Sequence, residues 1–276
     1  MIVSAALLSA SVQAADAHVA DSVIEQQHKA LQVNTAGKGF GPQSPRDIDS
    51  LKGKNSVQFA WAPASTEMNL CNIHFHKNAE HKGGEFTRYA GNGDGRGHRS
   101  GFTYAGLLTE QERAPVSYPV CANSSGELAP GDTIEVHYVY SSAEIQPGPS
   151  LGACFNEATN NPQLRVEAQV VVLVNDAKAQ DFGTLAYHEQ ANGFHQAVNI
   201  PTNTGTPVQY KGSTTGPAYN EQGSPFQVTW SVRPKVVKAD IATVAKWCDS
   251  NTFNEDHGHG VRNLVIVPEL LSNEAL

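Results

Sequence analysis

Two histidines two residues apart, His74 and His76, lie in the run Cys71-Asn72-Ile73-His74-Phe75-His76-Lys77-Asn78-Ala79-Glu80-His81. Alternate side chains of a β-strand face the same way, so in an extended chain these two imidazoles project together. A second run, Thr133-Ile134-Glu135-Val136-His137-Tyr138-Val139-Tyr140, carries His137 on the same face as Glu135. Paired as neighbouring strands, the two runs would make a tripod of three imidazoles. Such a set suits zinc, which accepts imidazole nitrogen in a tetrahedral shell and keeps its fourth position for water when the protein supplies three ligands. Neutral ligands leave the ion its full double positive charge, and that charge is what lets a bound water ionise under mild conditions. The second nitrogen of each ligand ring needs an acceptor, for which Glu135 or a backbone carbonyl can serve. An isolated His-x-His in a strand is weak evidence, since packed and surface histidines are common. The third histidine, with a carboxylate two residues before it, strengthens the reading.

The elements that would position these residues have a β rhythm. Short β-branched, alternating runs recur from Val57 onward, as in Cys71 to His76, Thr133 to Tyr140, Gln169 to Val174 and Phe226 to Val232, separated by Gly, Pro, Asn and Ser clusters. Helical periodicity is confined to Lys238 to Cys248, where Asp240 can cap a turn leading into Ile241, Val244, Ala245 and Trp247. Residues 16 to 45 are polar and end in Gly41-Pro42-Gln43-Ser44-Pro45, which predicts an arm wrapped over the surface. Residues 83 to 131 form a long glycine-rich insertion containing Gly91-Asn92-Gly93-Asp94-Gly95-Arg96-Gly97. Asn and Asp alternating with Gly hint at calcium, but the distal Glu of a calcium loop is lacking, so the insertion reads as a mobile loop.

A net charge of −8, from 19 basic and 27 acidic residues, argues against nucleic acid as a partner. Hydrophobic residues at 39% and 24 glycines among 276 residues fit a globular chain and exclude disorder as the main reading. No apolar run reaches the roughly 18 residues of a membrane span. The opening MIVSAALLSASVQAADA, apolar from Ile2 to Leu8 with small residues around Ala14, predicts a secretory signal peptide over residues 1–14, although no Lys or Arg precedes the apolar stretch. The remainder, 15–276, reads as a single catalytic domain in a secreted or periplasmic protein. Cys71, Cys121, Cys154 and Cys248 suit disulfides better than a zinc knuckle, and their three pairings stay open.

At this point the residues resemble a known family. His74-Phe75-His76, Glu80-His81 and Glu135-Val136-His137-Tyr138-Val139 are similar, in the same order, to the HFH, EH and ELHxVH elements of alpha-type carbonic anhydrases. Gln43-Ser44-Pro45-Arg46-Asp47-Ile48, the stretch Tyr210 to Pro217 and Val228-Thr229-Trp230-Ser231-Val232 extend the likeness, which runs from about residue 43 to 270. The wording of Cys71 to Phe86 looks closer to the delta class. The resemblance implies a mainly β fold with a large, twisted, mostly antiparallel central sheet and short peripheral helices. It implies one zinc per chain and reversible hydration of carbon dioxide to bicarbonate by metal-bound hydroxide, an ionisation for which carbonic anhydrase is itself the reference case. His74, His76 and His137 fall on the zinc ligands, Glu135 on the outer partner of His137, and His81 on the support of Glu135. Thr215 falls on the threonine that takes a hydrogen bond from the nucleophile, Glu80 on the glutamate that orients it, and Val139 and Trp230 on the wall of the carbon dioxide pocket.

The departures are specific. Lys77 stands where the family has tryptophan and Asn72 where it has glutamine. The HFH-to-EH spacer is short, and the stretch from His81 to Glu135 is long. Thr214 and Gly216 flank Thr215 where the family has leucine and threonine, and a shift of one residue would make Thr214 the functional one. The family's proton-shuttle segment has no counterpart; His98, His188 and His195 are substitutes, while His257 and His259 read as part of a solvated surface loop. Two other classes compete. A cupin-like metalloenzyme shares His74-x-His76 and Glu80 but has Met68 and Thr87 where that motif wants glycines. A catalytically silent related module would lack a ligand, and here all three are present.

Overall fold

The computed structural model describes residues 18–50, 52–215 and 219–273; the expected signal peptide lies outside them. Nine strands are described: β1 (Asn69–Lys77), β2 (Arg88–Tyr89), β3 (Phe102–Thr103), β4 (Thr133–Ser141), β5 (Leu164–Val174), β6 (His188–Ala191), β7 (Phe194–Ala197), β8 (Val208–Ser213) and β9 (Gln227–Asp240). Three α-helices accompany them: α1 (Asp21–Thr35), α2 (Phe182–Leu185) and α3 (Ile241–Asp249). The central sheet runs β1-β4-β5-β9-β8, with β2-β3 and β6-β7 as separate two-stranded ribbons. All neighbours in the central sheet are antiparallel except β5 and β9, so the sheet is mixed and, as the sequence predicts, mostly antiparallel. A parallel pair needs a long crossover, and here the chain between β5 and β9 carries α2, β6, β7 and β8.

Both faces of the sheet are covered. On one side Ile73, Phe75, Val136, Tyr138, Val171 and Leu173 pack against Phe182 of α2 and Val244 and Trp247 of α3. Phe75, Phe182 and Trp247 lie within 5.9 Å of one another, centroid to centroid. On the other side Val139, Val166, Ala168, Tyr210, Val228 and Trp230 form a second cluster. Helix α3 starts where the sequence places it, Asp240 accepting the Ala242 N–H at 3.2 Å as N-cap. Residues Lys238 to Asp240 remain in β9, which runs past the expected end at Val232.

Three expectations need correction. β5 begins at Leu164, well before Gln169, because its polar residues are buried in pairs: Glu167 accepts from Arg165 at 3.3 Å and from Arg233 at 3.0 Å. The polar arm contains a helix, α1, which turns only Gln27, Leu31 and Thr35 fully inward, too thin an apolar stripe to register as helical periodicity. The glycine-rich insertion is anchored. Gly93 O accepts the Val19 N–H at 2.9 Å, Asn92 donates to Val19 O and Asp21, and Gln27 donates to Gly95 O at 2.7 Å. The disulfides join Cys71 to Cys154 and Cys121 to Cys248. Among the described residues no helix is long and apolar enough to cross a membrane.

Candidate active site

The site begins with a register. β1 and β4 pair with His74 opposite His137 and His76 opposite Glu135, so all four side chains share one face while Phe75 and Val136 turn to the other. One ring nitrogen from each of His74, His76 and His137 lies within 4.8 Å of the other two. The opposite nitrogens are held. His74 Nδ1 meets Asn72 Oδ1 at 2.6 Å, His76 Nδ1 donates to Gly260 O at 2.8 Å, and His137 Nε2 donates to Glu135 Oε1 at 3.0 Å. That leaves two Nε2 atoms and one Nδ1 for a metal. His76 Nε2 is buried and has no hydrogen-bond partner, an arrangement that costs free energy without a ligand.

Burial keeps the His74 and His76 rings neutral. Burial lowers His74 well below the ordinary histidine value, helped by His137 and His76. Burial pushes His76 down to about 4 against the opposing pull of Glu80. The 3.6 Å approach of His76 to Glu80 is therefore not an ion pair near neutral pH. Neutral imidazoles are what a cation needs from its ligands.

Glu135 ties the tripod to the sheet. Its Oε1 accepts from His137 and, at 2.6 Å, from His81 Nδ1, while Oε2 accepts the backbone N–H groups of Glu80 at 2.7 Å and His81 at 3.1 Å. Burial raises this carboxyl, but its electrostatic and hydrogen-bond interactions with His81 and His137 outweigh burial and hold it well below the usual range. Glu135 could itself be counted with His81 and His137 as a metal cluster. Four donors already occupy it, so the three histidines are the better cage. The relay continues as His81 Nε2 meets the Tyr210 hydroxyl at 2.7 Å, and Tyr210 donates to Ser44 Oγ at 3.0 Å.

Thr215 Oγ1 donates to Glu80 Oε2 at 2.6 Å, and Glu80 Oε1 accepts the Arg262 N–H at 2.9 Å. Thr214 instead shares a hydrogen bond with Ser224, so of the two threonines it is Thr215 that pairs with Glu80. Gly216 and Pro217, which end that motif, lie outside the described residues. A cavity of about 350 Å³ opens over the tripod and is lined by Val139, Trp230 and Thr215 among others. The Trp230 ring stands 5.1 Å from His137 and 4.8 Å from His81, and its Nε1 donates to Ser213 O at 3.0 Å.

The model of delta carbonic anhydrases matches residues 65–243. The chain belongs to that family. Membership makes it a carbonic anhydrase, a lyase of carbon dioxide hydration. No curated protein matches it. Among solved structures it is similar to a carbonic anhydrase from Chlamydomonas reinhardtii in complex with acetazolamide, at 16% identity over 87% of this chain and 90% of that one, with a TM-score of 0.33. An alpha-carbonic anhydrase from Photobacterium profundum matches at 15% identity over 87% and 89%, TM-score 0.29. The Thermovibrio ammonificans alpha enzyme, solved with sulfanilamide, matches at 14% identity over 81% and 84%, TM-score 0.27.

Asn72, a departure from the family's pattern, reaches His74 Nδ1 with its amide oxygen. Of the shuttle substitutes, His98 lines the cavity, whereas His188 packs on Phe253 at 5.1 Å and His195 lines a separate hollow with Asn69 and Glu144. The segment from Glu255 to Arg262 is what sequence reasoning missed. It supplies Gly260 O to His76, the Arg262 N–H to Glu80, and His259, whose ring lies 5.6 Å from that of His74. The density of His and Gly in Asn254 to Gly260 was the one available signal.

Proposed function

We propose that this chain interconverts carbon dioxide and bicarbonate with one zinc ion held by His74, His76 and His137. The observation that carries the reading is the set of three converging imidazoles, each held at its far nitrogen, with the buried His76 Nε2 otherwise unpartnered. Zinc, when bound, supplies a Lewis-acidic centre that makes water nucleophilic near neutral pH. The chain's residues do the rest. Glu80 spends Oε1 on the Arg262 N–H and Oε2 on the Thr215 proton, so Thr215 has only lone pairs to offer on its other side. A nucleophile at Thr215 must donate its hydrogen there, which turns a lone pair toward the substrate. Val139 and Trp230 form the dry wall against which carbon dioxide rests. Glu135, steadied by His81, fixes the tautomer of His137 and raises its basicity as a ligand.

The remaining proposals concern setting. Residues 15–276 form one catalytic domain, with the insertion at about 83–131 built onto it. Two disulfides favour an oxidising compartment, consistent with a secreted or periplasmic enzyme carrying a signal over residues 1–14. The test of the ligand assignment is His137→Ala. Zinc measured by elemental analysis is expected to fall from one per chain to near zero, with the far-ultraviolet circular dichroism unchanged. Unaltered zinc content and hydration rate would overturn it.

A further inference from the structure

Each bicarbonate formed from carbon dioxide and water releases one proton, which must leave the cavity before the next turnover. The cavity has two unlike walls. Val139, Leu151, Leu164, Val166, Val228 and Trp230 form an apolar one that accepts no proton. The other is made by His98, Glu255, His257 and His259. On that side two further rings follow the tripod: His259 lies 5.6 Å from His74, and His257 lies 5.1 Å from His259. His259 is fixed as a spacer, its Nε2 hydrogen-bonded to Glu255 Oε2 at 2.6 Å and its backbone bridged to β1 at His76. His257 differs in its partner. The two side chains are similarly exposed, 39% for His259 and 32% for His257, but His257 Nδ1 donates to Asp256, which is 78% exposed, whereas Glu255 is buried. An Nδ1–H held by a carboxylate leaves the neutral ring a bare Nε2. The same corner adjoins a second, polar cavity of about 250 Å³ that shares His98 and His259 with the first.

We propose that His257 carries the proton released in hydration from the cavity to solvent, with Asp256 holding its ring in the tautomer that leaves Nε2 free. The assignment rests on the proposed function above and falls on residues beyond the family-matched 65–243. In the step, water in the cavity gives a proton to Nε2, forming an imidazolium, and a buffer base in solvent removes one proton to restore the neutral ring. No electrons change hands. The titratable and charged groups around His257 are Asp256, Glu255 and His259 of its own segment, His98 of the same wall, and Lys77 of β1, whose Cβ lies against Gly258.

The experiment compares wild type, His257→Ala, Asp256→Asn and His98→Ala as zinc-loaded enzymes in stopped-flow hydration in weak buffer. For His257→Ala, kcat is expected to fall about tenfold while kcat/KM changes less than twofold, because proton export follows carbon dioxide conversion. Added imidazole should restore kcat, and the zinc-to-protein ratio should be unchanged. Nitrogen-15 NMR of histidine-labelled protein, with and without zinc, should show His257 protonated at Nδ1 and should show that preference weakened in Asp256→Asn. An unchanged kcat, a parallel fall in kcat and kcat/KM, the split appearing in His98→Ala instead, or an Nε2-protonated His257 would each overturn the proposal. A zinc-loaded wild type without hydration activity would remove the proposed function itself, which separates the two failures.

Discussion

At the scale of single residues, the site is governed by which lone pairs and protons are already committed. Glu80 illustrates this, since a buried carboxylate with both oxygens engaged forces the direction of the Thr215 hydrogen bond. Thr215→Ala should therefore retain zinc but lose on the order of 10²-fold in kcat/KM for hydration, the scale seen when one preorganised hydrogen bond is removed from a reacting centre. Thr214→Ala, which breaks only the contact with Ser224, should lose far less; an equal loss would transfer the role to Thr214. The ligands also set a pH dependence. The buried His76 has its folded-state value lowered from 6.5 to about 4, so the metal-free folded chain binds fewer protons than the unfolded chain between those values. That contribution to stability is complete above pH 6.5 and is lost as the pH falls through 4, with His74 acting in the same direction. Thermal melts of chelator-treated protein should show a midpoint that drops across this window. The tripod was legible in the sequence because strand alternation alone brings His74 and His76 together. The partners of Gly260 and Arg262 were not, because hydrogen bonds across some 180 residues leave no local pattern.

At the scale of elements, β1 and β4 place the ligands, while β8 and the arm before Asp47 place their support. Gly212 sits where β8 meets that arm, and a Cβ built there would lie 2.0 Å from Ser44 Oγ and 2.8 Å from the Tyr210 ring. Ser44 and Tyr210 are links in the relay to His81 and Glu135. Gly212→Ala is accordingly expected to cost about 1–3 kcal/mol by overpacking and to weaken zinc binding as well, measured by denaturant unfolding and by competition with a chelator. A stability loss with unchanged zinc affinity would show that the relay does not reach the metal. Strands were recognisable where β-branched and aromatic residues are dense, even in β4, whose residues are all buried. β5 was recognised late because Arg165, Glu167 and Gln169 are polar yet buried, satisfied by Arg233 and by backbone carbonyls of Ala62, Pro63 and Lys235. Helix α1 was missed for a related reason: its docking relies on Gln27 and Leu31 meeting the glycine-rich insertion and the carboxy-terminal segment, information held outside the helix.

At the scale of the whole molecule, the disulfides close loops with sequence separations of 83 and 127 residues. Chain-entropy arguments give roughly 4–5 kcal/mol for each loop of this size. Reduction under native conditions should thus shift the denaturant midpoint strongly downward. Cys71 lies beside Asn72, which reaches both Gly148 O and His74, so reduction should also raise the zinc dissociation rate. Unchanged zinc release after verified reduction would show that the bond acts on stability alone. The pairing could not be read from cysteine spacing, because it depends on which edge of the sheet each loop crosses. One further consequence follows from the segment at Gly260 and Arg262. The three imidazoles lie between positions 74 and 137, but the groups that steady His76 and Glu80 come from positions 260 and 262. Pairing the two strands is therefore not enough to finish the site: the distant segment must dock on them before His76 and Glu80 are held in place.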